Sequence, residues 1–283
     1  MINRLFLCTV LSAFLVCWLV VGANADTTKK HITIAIFPCV DEVRAFTKFG
    51  PLLRYLEKET GLGVSLVVPR DSMEFKRDIK NKKIDFAFQN AKTYVEFADL
   101  YNNQALLRGV TRKGSTTQSG VVIVKKGSGI NKVSDLRGRL VLFGPTHSTT
   151  RWVAAKLLFK ESGLNIDTDL KAYSHGQTCE GMAFSVQFGG VDAAVVCDDF
   201  LEHHVEKRQQ LGVDPEQLVI IGRTKLVPTR VFSPRRDIGS DIVNKVNQAL
   251  LRLDRTMPDH DKILYDAELG GFQKAKMEDY DHK

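Results

Sequence analysis

The chain has 283 residues, 43% of them hydrophobic and 26% charged, and a formal net charge of +7. That length accommodates one large domain or two of ordinary size. Lys and Arg are spread along the chain without basic clusters interleaved with aromatics, which excludes a nucleic-acid stripe and favours an anionic ligand or an acidic partner surface.

The chain begins with one positive charge, Arg4, an apolar run from Leu5 to Val21, and Ala23-Asn24-Ala25, a small-x-small cleavage pattern. This predicts a secretory signal peptide over residues 1–25, cut before Asp26, and a secreted mature protein. A spanning helix is the competing reading, but the run is short and no stop-transfer charges follow it. Cleavage leaves Cys39, Cys179 and Cys197, an odd number, so in an oxidising compartment at least one thiol is unpaired unless chains are cross-linked.

His31 to Phe37 is β-branched and apolar, a strand ended by Pro38. Phe46, Phe49, Leu52, Leu53 and Leu56 recur at helical spacing up to Gly61, which reads as a helix cap. A strand at Val64–Val68, a helix near Met73–Ile79, a strand at Ile84–Phe88 and a helix carrying Tyr94, Phe97, Ala98 and Tyr101 follow. Strand and helix alternate as in an α/β lobe with a largely parallel sheet. Leu106–Val110 and Val121–Val124 then read as strands with no helix between them, and the alternation resumes after Gly127-Ser128-Gly129. Strands at Leu140–Phe143, around Ala172 and at Val191–Val196 alternate with helices, the first near Thr149–Glu161. Strands at Leu218–Ile221 and Thr229–Phe232 flank Pro228, and a helix runs from about Asp241 to Leu253. Two α/β units joined by two extended crossings predict a second lobe, residues 120–226, inserted into a first lobe made of 26–119 and 227–283.

The sharpest local signal is Gly144-Pro145-Thr146-His147-Ser148-Thr149-Thr150-Arg151, between a strand and an amphipathic helix. Hydroxyl residues at a helix start cap its free amides, and those amides with the helix dipole form an anion site. Ordinary capping explains one hydroxyl; three of them and Arg151 offer several donors to a tetrahedral oxyanion. A second strand-to-helix turn carries Ser174, His175, Gly176, Gln177, Thr178 and Cys179, and Cys197 ends the next strand. Both lie where α/β folds gather ligands, at the carboxyl ends of parallel strands. With Cys39 at the end of the first strand, three thiols are expected near one cleft, as candidate ligands of a soft species or as packing residues.

Enzymatic motifs are missing: no phosphate-binding loop of the G-x-x-x-x-G-K type, no G-x-S-x-G elbow and no paired C-x-x-C. A His175/Cys179 dyad has no third orienting residue. The chain is therefore read as a non-enzyme with no cofactor and no bound metal.

Several pieces together resemble the phosphate/phosphonate class of ABC-transporter substrate-binding proteins: Phe49-Gly50-Pro51-Leu52 leading to Tyr55-Leu56; Asp85 and Tyr94; Asp135-Leu136-Arg137-Gly138; Ser148-Thr149-Thr150; Val186, Gly189 and Asp192; and Gly271-Phe272 before Asp279-Tyr280. The resemblance implies a two-lobed periplasmic binding protein fold with a hinged cleft, in which the Ser148-Thr149-Thr150 turn wraps phosphoryl-type oxygens and Tyr94 reaches over from the first lobe. It implies capture of a phosphonate, phosphite or phosphate-like oxyanion by a monomer that an ABC permease recognises. Three departures stand out: Cys179 occupies a position where the family often has a ligand-contacting His, Cys197 a polar pocket position, and Arg151 that of a common Gly. Sulfur at these positions resembles what an arsenite-type receptor signalling to a membrane sensor kinase would need, and this is the alternative reading.

Overall fold

The structure is a computed structural model that describes residues 30–37, 42–203 and 212–280. The expected leader, its cleavage point and Cys39 lie outside the described residues.

Two sheets organise the chain. The first has six strands in the order β13-β4-β12-β3-β1-β2: β1 (His31–Phe37), β2 (Gly63–Val67), β3 (Phe86–Gln89), β4 (Leu107–Val110), β12 (Val231–Pro234) and β13 (Gly271–Lys274). β2 and β3 both run parallel to β1, with Ile34 opposite Leu66 on one side and Phe86 on the other. The second sheet has five strands in the order β10-β6-β9-β7-β8: β6 (Gly120–Lys125), β7 (Leu140–Phe143), β8 (Ala172–His175), β9 (Ala193–Cys197) and β10 (Leu218–Arg223). Here β7 runs parallel to both β8 and β9, while β6 is antiparallel to β9. The lobes meet through two crossings that pair as a short ribbon, β5 (Thr117–Gln118) with β11 (Val227–Pro228). Beside it the Gly120 amide donates to Thr224 Oγ1 at 2.8 Å and the Thr229 amide to Thr116 O at 3.0 Å, so the crossings are tied to each other.

Each sheet is covered on both faces, as the near-continuous apolar strands require. Helix α1 (Glu42–Thr60) buries Ala45, Phe49, Leu52, Leu53, Tyr55 and Leu56, the side of the helix marked by its apolar spacing. It stops at Gly61, whose φ of 71° is the left-handed conformation that glycine adopts without a steric penalty, and the Gly61 amide returns to Glu57 O. Further helices α2 (Ser72–Lys80), α3 (Ala91–Glu96), α4 (Ala155–Glu161), α5 (Cys179–Gln187), α6 (Asp198–His203), α7 (Ser240–Leu251) and α8 (Pro258–Asp266) complete the layers. The α8 segment was not legible as a helix from its sparse apolar spacing; Leu264 alone is fully buried there. The expected strand over Thr229–Phe232 is shifted: the sheet strand is Val231–Pro234, and Val227–Pro228 ahead of it pairs with β5.

Most residues that carry the family resemblance hold the scaffold together. Asp85 accepts the Thr33 amide at 2.9 Å and the Arg235 guanidinium at 2.9 Å, tying the edge of β3 to β1 and β12. Asp192 accepts the Leu140 amide at 2.8 Å, and Asp135 the amides of Asn131 and Lys132. Tyr280 is buried with its ring 5.1 Å from that of Tyr94. Among the described residues no helix is long and apolar enough to cross a membrane.

Candidate functional site

In the second sheet β7, β8 and β9 run parallel, so the turns after Phe143, His175 and Cys197 leave the same edge, where the antiparallel β6 begins at Gly120. This edge faces the first lobe across a cleft of about 500 Å³.

The turn after β7 is built for close approach. Ser148 caps the helix, its Oγ accepting the Arg151 amide at 3.1 Å, and the Gly144 amide donates to Arg151 O at 3.1 Å. The amides of Trp152 and Val153 both point to Ser148 O, at 3.2 and 3.1 Å, and the first turn, Thr149–Ala154, is widened to π geometry before α4 begins. The first-turn amides of Thr149 and Thr150 have no acceptor within the helix. Thr149 Oγ1 and Arg151 Nε are buried without a hydrogen-bond partner, an arrangement that costs about 1–3 kcal/mol per group unless something else satisfies it.

Arg151 folds back over Gly144. A Cβ at residue 144 would stand 2.4 Å from Arg151 Cβ and 3.0 Å from its Nε, so only glycine lets the side chain lie there. Its Nη1 donates to Gln177 O at 3.3 Å, which brings the guanidinium to the second turn. There Thr178 caps α5 by accepting the Gly181 amide at 3.1 Å, Cys179 is the first residue of the helix, and the Cys197 amide donates to Cys179 Sγ at 3.3 Å. Both residues are partly exposed. The hydrogen bond from the Cys179 thiol, opposed by burial and assisted by Arg151, lowers Cys197 to about 7; the same bond and burial push Cys179 well up. Burial works against the Arg151 charge, but Cys179, Cys197 and Glu180 together outweigh it and its pKa is raised.

His147, between Pro145 and the capping serine, is held down to about 4 by burial and then by Arg151, Arg230 and Lys92. Burial is the larger cause, and the three cations add to it. From the first lobe, Arg44 and Lys48 on α1, Arg112 beyond β4 and Arg230 before β12 also line the cleft. Lys48 is paired with Glu268, and Arg112 with Asp261 at 2.6 Å. Across the cleft, Asn90 Nδ2 donates to His147 O at 2.8 Å.

Of the residues singled out from sequence, Arg151, Thr178, Cys179 and Cys197 line the cleft together. Ser148, Thr149 and Thr150 form the turn behind it, with Thr150 buried against Gly120. Two expectations are corrected. Tyr94 does not reach over the cleft: its ring is fully buried behind the first sheet, stacked on Tyr101, and its hydroxyl donates to Asn103 Oδ1 at 3.0 Å. Burial raises its pKa to about 12. His175 does not line the cleft either, because β8 is the edge strand; its ring packs 4.6 Å from Trp152 and its Nδ1 bonds Gly144 O at 2.7 Å. His147, Arg112 and Arg230 were missed. Arg112 follows the carboxyl end of a strand that runs parallel to β3, so the strand-end rule that picked out Cys197 could have found it. Among the described residues no group of three His, Cys, Asp or Glu side chains could hold a metal ion.

A family model described as the periplasmic substrate-binding protein of the phosphonate ABC transporter matches residues 34–280. The phosphonates-binding periplasmic protein of Escherichia coli is 22% identical over 262 residues, 89% of this chain and 75% of that protein. Among solved structures, a binding protein component of an ABC phosphonate transporter from Pseudomonas aeruginosa superposes with a TM-score of 0.73 at 17% identity, covering 89% of this chain and 83% of that one. PhnD1 from Prochlorococcus marinus, in complex with methylphosphonate, gives 0.74 at 16%, with coverages of 89% and 95%. These likenesses are to a two-lobed fold.

Proposed function

Because the chain belongs to the family of periplasmic phosphonate substrate-binding proteins of ABC transporters, we propose that it captures a small phosphonate, or a phosphite- or phosphate-like oxyanion, between its lobes and delivers it unchanged to a membrane permease. The family places the protein in the periplasm. The observation that carries the ligand reading is the turn after β7: its first-turn amides have no acceptor within the helix, and the Thr149 hydroxyl and Arg151 Nε are buried without a partner. Relatives named for phosphonates support the same choice. None of the comparisons supports the arsenite-type sensor.

In this reading the second lobe, residues 120–226, supplies the anion turn, and the first lobe, residues 26–119 and 227–283, closes over it by bending at the β5–β11 ribbon. Ser148, Thr149, Thr150 and Arg151 meet the ligand oxygens, while Thr178, Cys179 and Cys197 form the adjoining floor. Arg230 and the Asn90 to His147 bond come from the opposite side and select the closed form, which the permease then recognises. The mature protein begins at Asp26, acts as a monomer and performs no chemistry on its ligand.

Isothermal titration and thermal unfolding with methylphosphonate, phosphite, phosphate and sulfate test this. Ligand at about 100 times its Kd stabilises the fold by about 2.7 kcal/mol, a clear shift in Tm. Stabilisation by a phosphonate is expected; no shift with any of the four overturns the reading.

A further inference from the structure

We propose that Cys179 and Cys197 form an exchangeable dithiol/disulfide pair on the floor of the ligand cleft, and that the disulfide state is the tighter anion binder.

The pair rests on three observations. The two residues come from different elements, the first turn of α5 and the end of β9, yet the Cys197 amide donates to Cys179 Sγ at 3.3 Å. Both line the cleft and both are partly exposed, so a reagent that enters where the ligand enters reaches them. The Arg151 guanidinium stands beside them, and a positive neighbour promotes the thiolate, the nucleophile in thiol–disulfide exchange. Cysteines kept only for packing would be sealed in the core, as Ala183 and Val195 are on the same elements.

The reaction needs a disulfide donor, such as oxidised glutathione or a disulfide-bonded oxidoreductase. The Cys197 thiolate attacks one donor sulfur, forming a mixed disulfide and expelling the other donor sulfur as a thiolate. Cys179 then loses its thiol proton to solvent and attacks Cys197 Sγ, closing the Cys179–Cys197 bond and expelling the second donor thiolate. The protein loses two hydrogens and two electrons; the donor disulfide is reduced to two thiols.

Closure changes the charge of the site. In the reduced protein a thiolate beside Arg151 competes with an incoming anion for the guanidinium. The disulfide carries no charge, and the ligand becomes the partner of Arg151. The oxidising compartment in which the family works keeps such a bond formed. This consequence for affinity rests on the oxyanion reading given above, whereas the pairing of the thiols does not.

The secreted protein is reduced, incubated with oxidised glutathione, alkylated and peptide-mapped by mass spectrometry, and the Kd for methylphosphonate is measured in both states. The expected result is a Cys179–Cys197 crosslink, Cys39 left alkylatable, and a Kd at least severalfold lower when oxidised. Saturating methylphosphonate is also expected to slow alkylation of both thiols. Cys197→Ser should neither crosslink nor respond to oxidant while retaining its Tm. Stable mixed glutathione adducts at both positions, a bond to Cys39 instead, or equal Kd values in the two states overturn the proposal. If methylphosphonate binds neither state, the oxyanion reading fails, and the crosslink map still decides whether the pair exists.

Discussion

Asn90 performs two tasks with two atoms, which allows its contribution to closure to be isolated. Its Oδ1 caps α3 by accepting the Thr93 amide at 2.9 Å, and its Nδ2 reaches the other lobe at His147 O. Serine is as good a capping residue as asparagine but is too short to cross the cleft, so Asn90→Ser removes the inter-lobe bond and leaves the helix start intact. A neutral hydrogen bond of this kind contributes about 1 kcal/mol net. Asn90 is only 8% exposed, so little of that is returned by solvent. Because the bond is broken when the lobes part, its loss falls on the closed state and raises the Kd for a phosphonate about fivefold. Titration calorimetry with methylphosphonate reads the change, and thermal unfolding of the ligand-free protein, expected to be unaltered, reads the cap. Asn90→Ala, which also loses the cap, should add about 1 kcal/mol of destabilisation with no further loss of affinity. An unchanged Kd in Asn90→Ser would refute the assignment of His147 O and Asn90 as a closure contact.

Arg151→Met keeps the length of the side chain and removes its charge; a charge-assisted bond worth about 1.5–3 kcal/mol predicts a Kd raised roughly 10- to 150-fold, again by calorimetry. Thr149→Val replaces the buried, unpartnered hydroxyl with a methyl group, so the ligand-free Tm is expected to hold or rise while phosphonate affinity falls; a fall in Tm with affinity retained would show a structural hydroxyl instead. His147, lowered from 6.5 to about 4, makes stability depend on pH in a defined window. Between those values the unfolded chain takes up a proton that the fold refuses, so stability is full above about pH 6.5 and declines as pH falls toward 4. His147→Gln should make the Tm profile shallower in that window, and an identical slope would exclude His147 as its source.

Much of the architecture was legible because period and punctuation are local properties. The apolar face of α1, its stop at Gly61 and the strand at His31–Phe37 follow from side-chain spacing and from a glycine that tolerates positive φ. The short helix α8 was not legible, because a helix that buries one leucine leaves little pattern to read. Tyr94 shows the limit of transferring a role by position. An aromatic beside a strand end can face the cleft or the core, and here stacking with Tyr101, an edge contact with Tyr280 and a bond to Asn103 hold it in the core.

By itself the sequence determined the hydroxyl-rich helix start at Ser148, the presence of Arg151 next to it and the placing of Cys179 and Cys197 at the ends of a turn and a strand, since each depends on residues close together in the chain. Only the tertiary structure decided which of these meet. The parallel pairing of β7 with β8 and β9 brings three turns to one edge. Gly144 lets Arg151 lie back toward Gln177, and the order of strands leaves His175 on the outer edge. The cations of the opposite wall, Arg112 and Arg230, arrive from strands more than a hundred residues apart in sequence. Their convergence is set by long-range strand pairing, which no local pattern encodes.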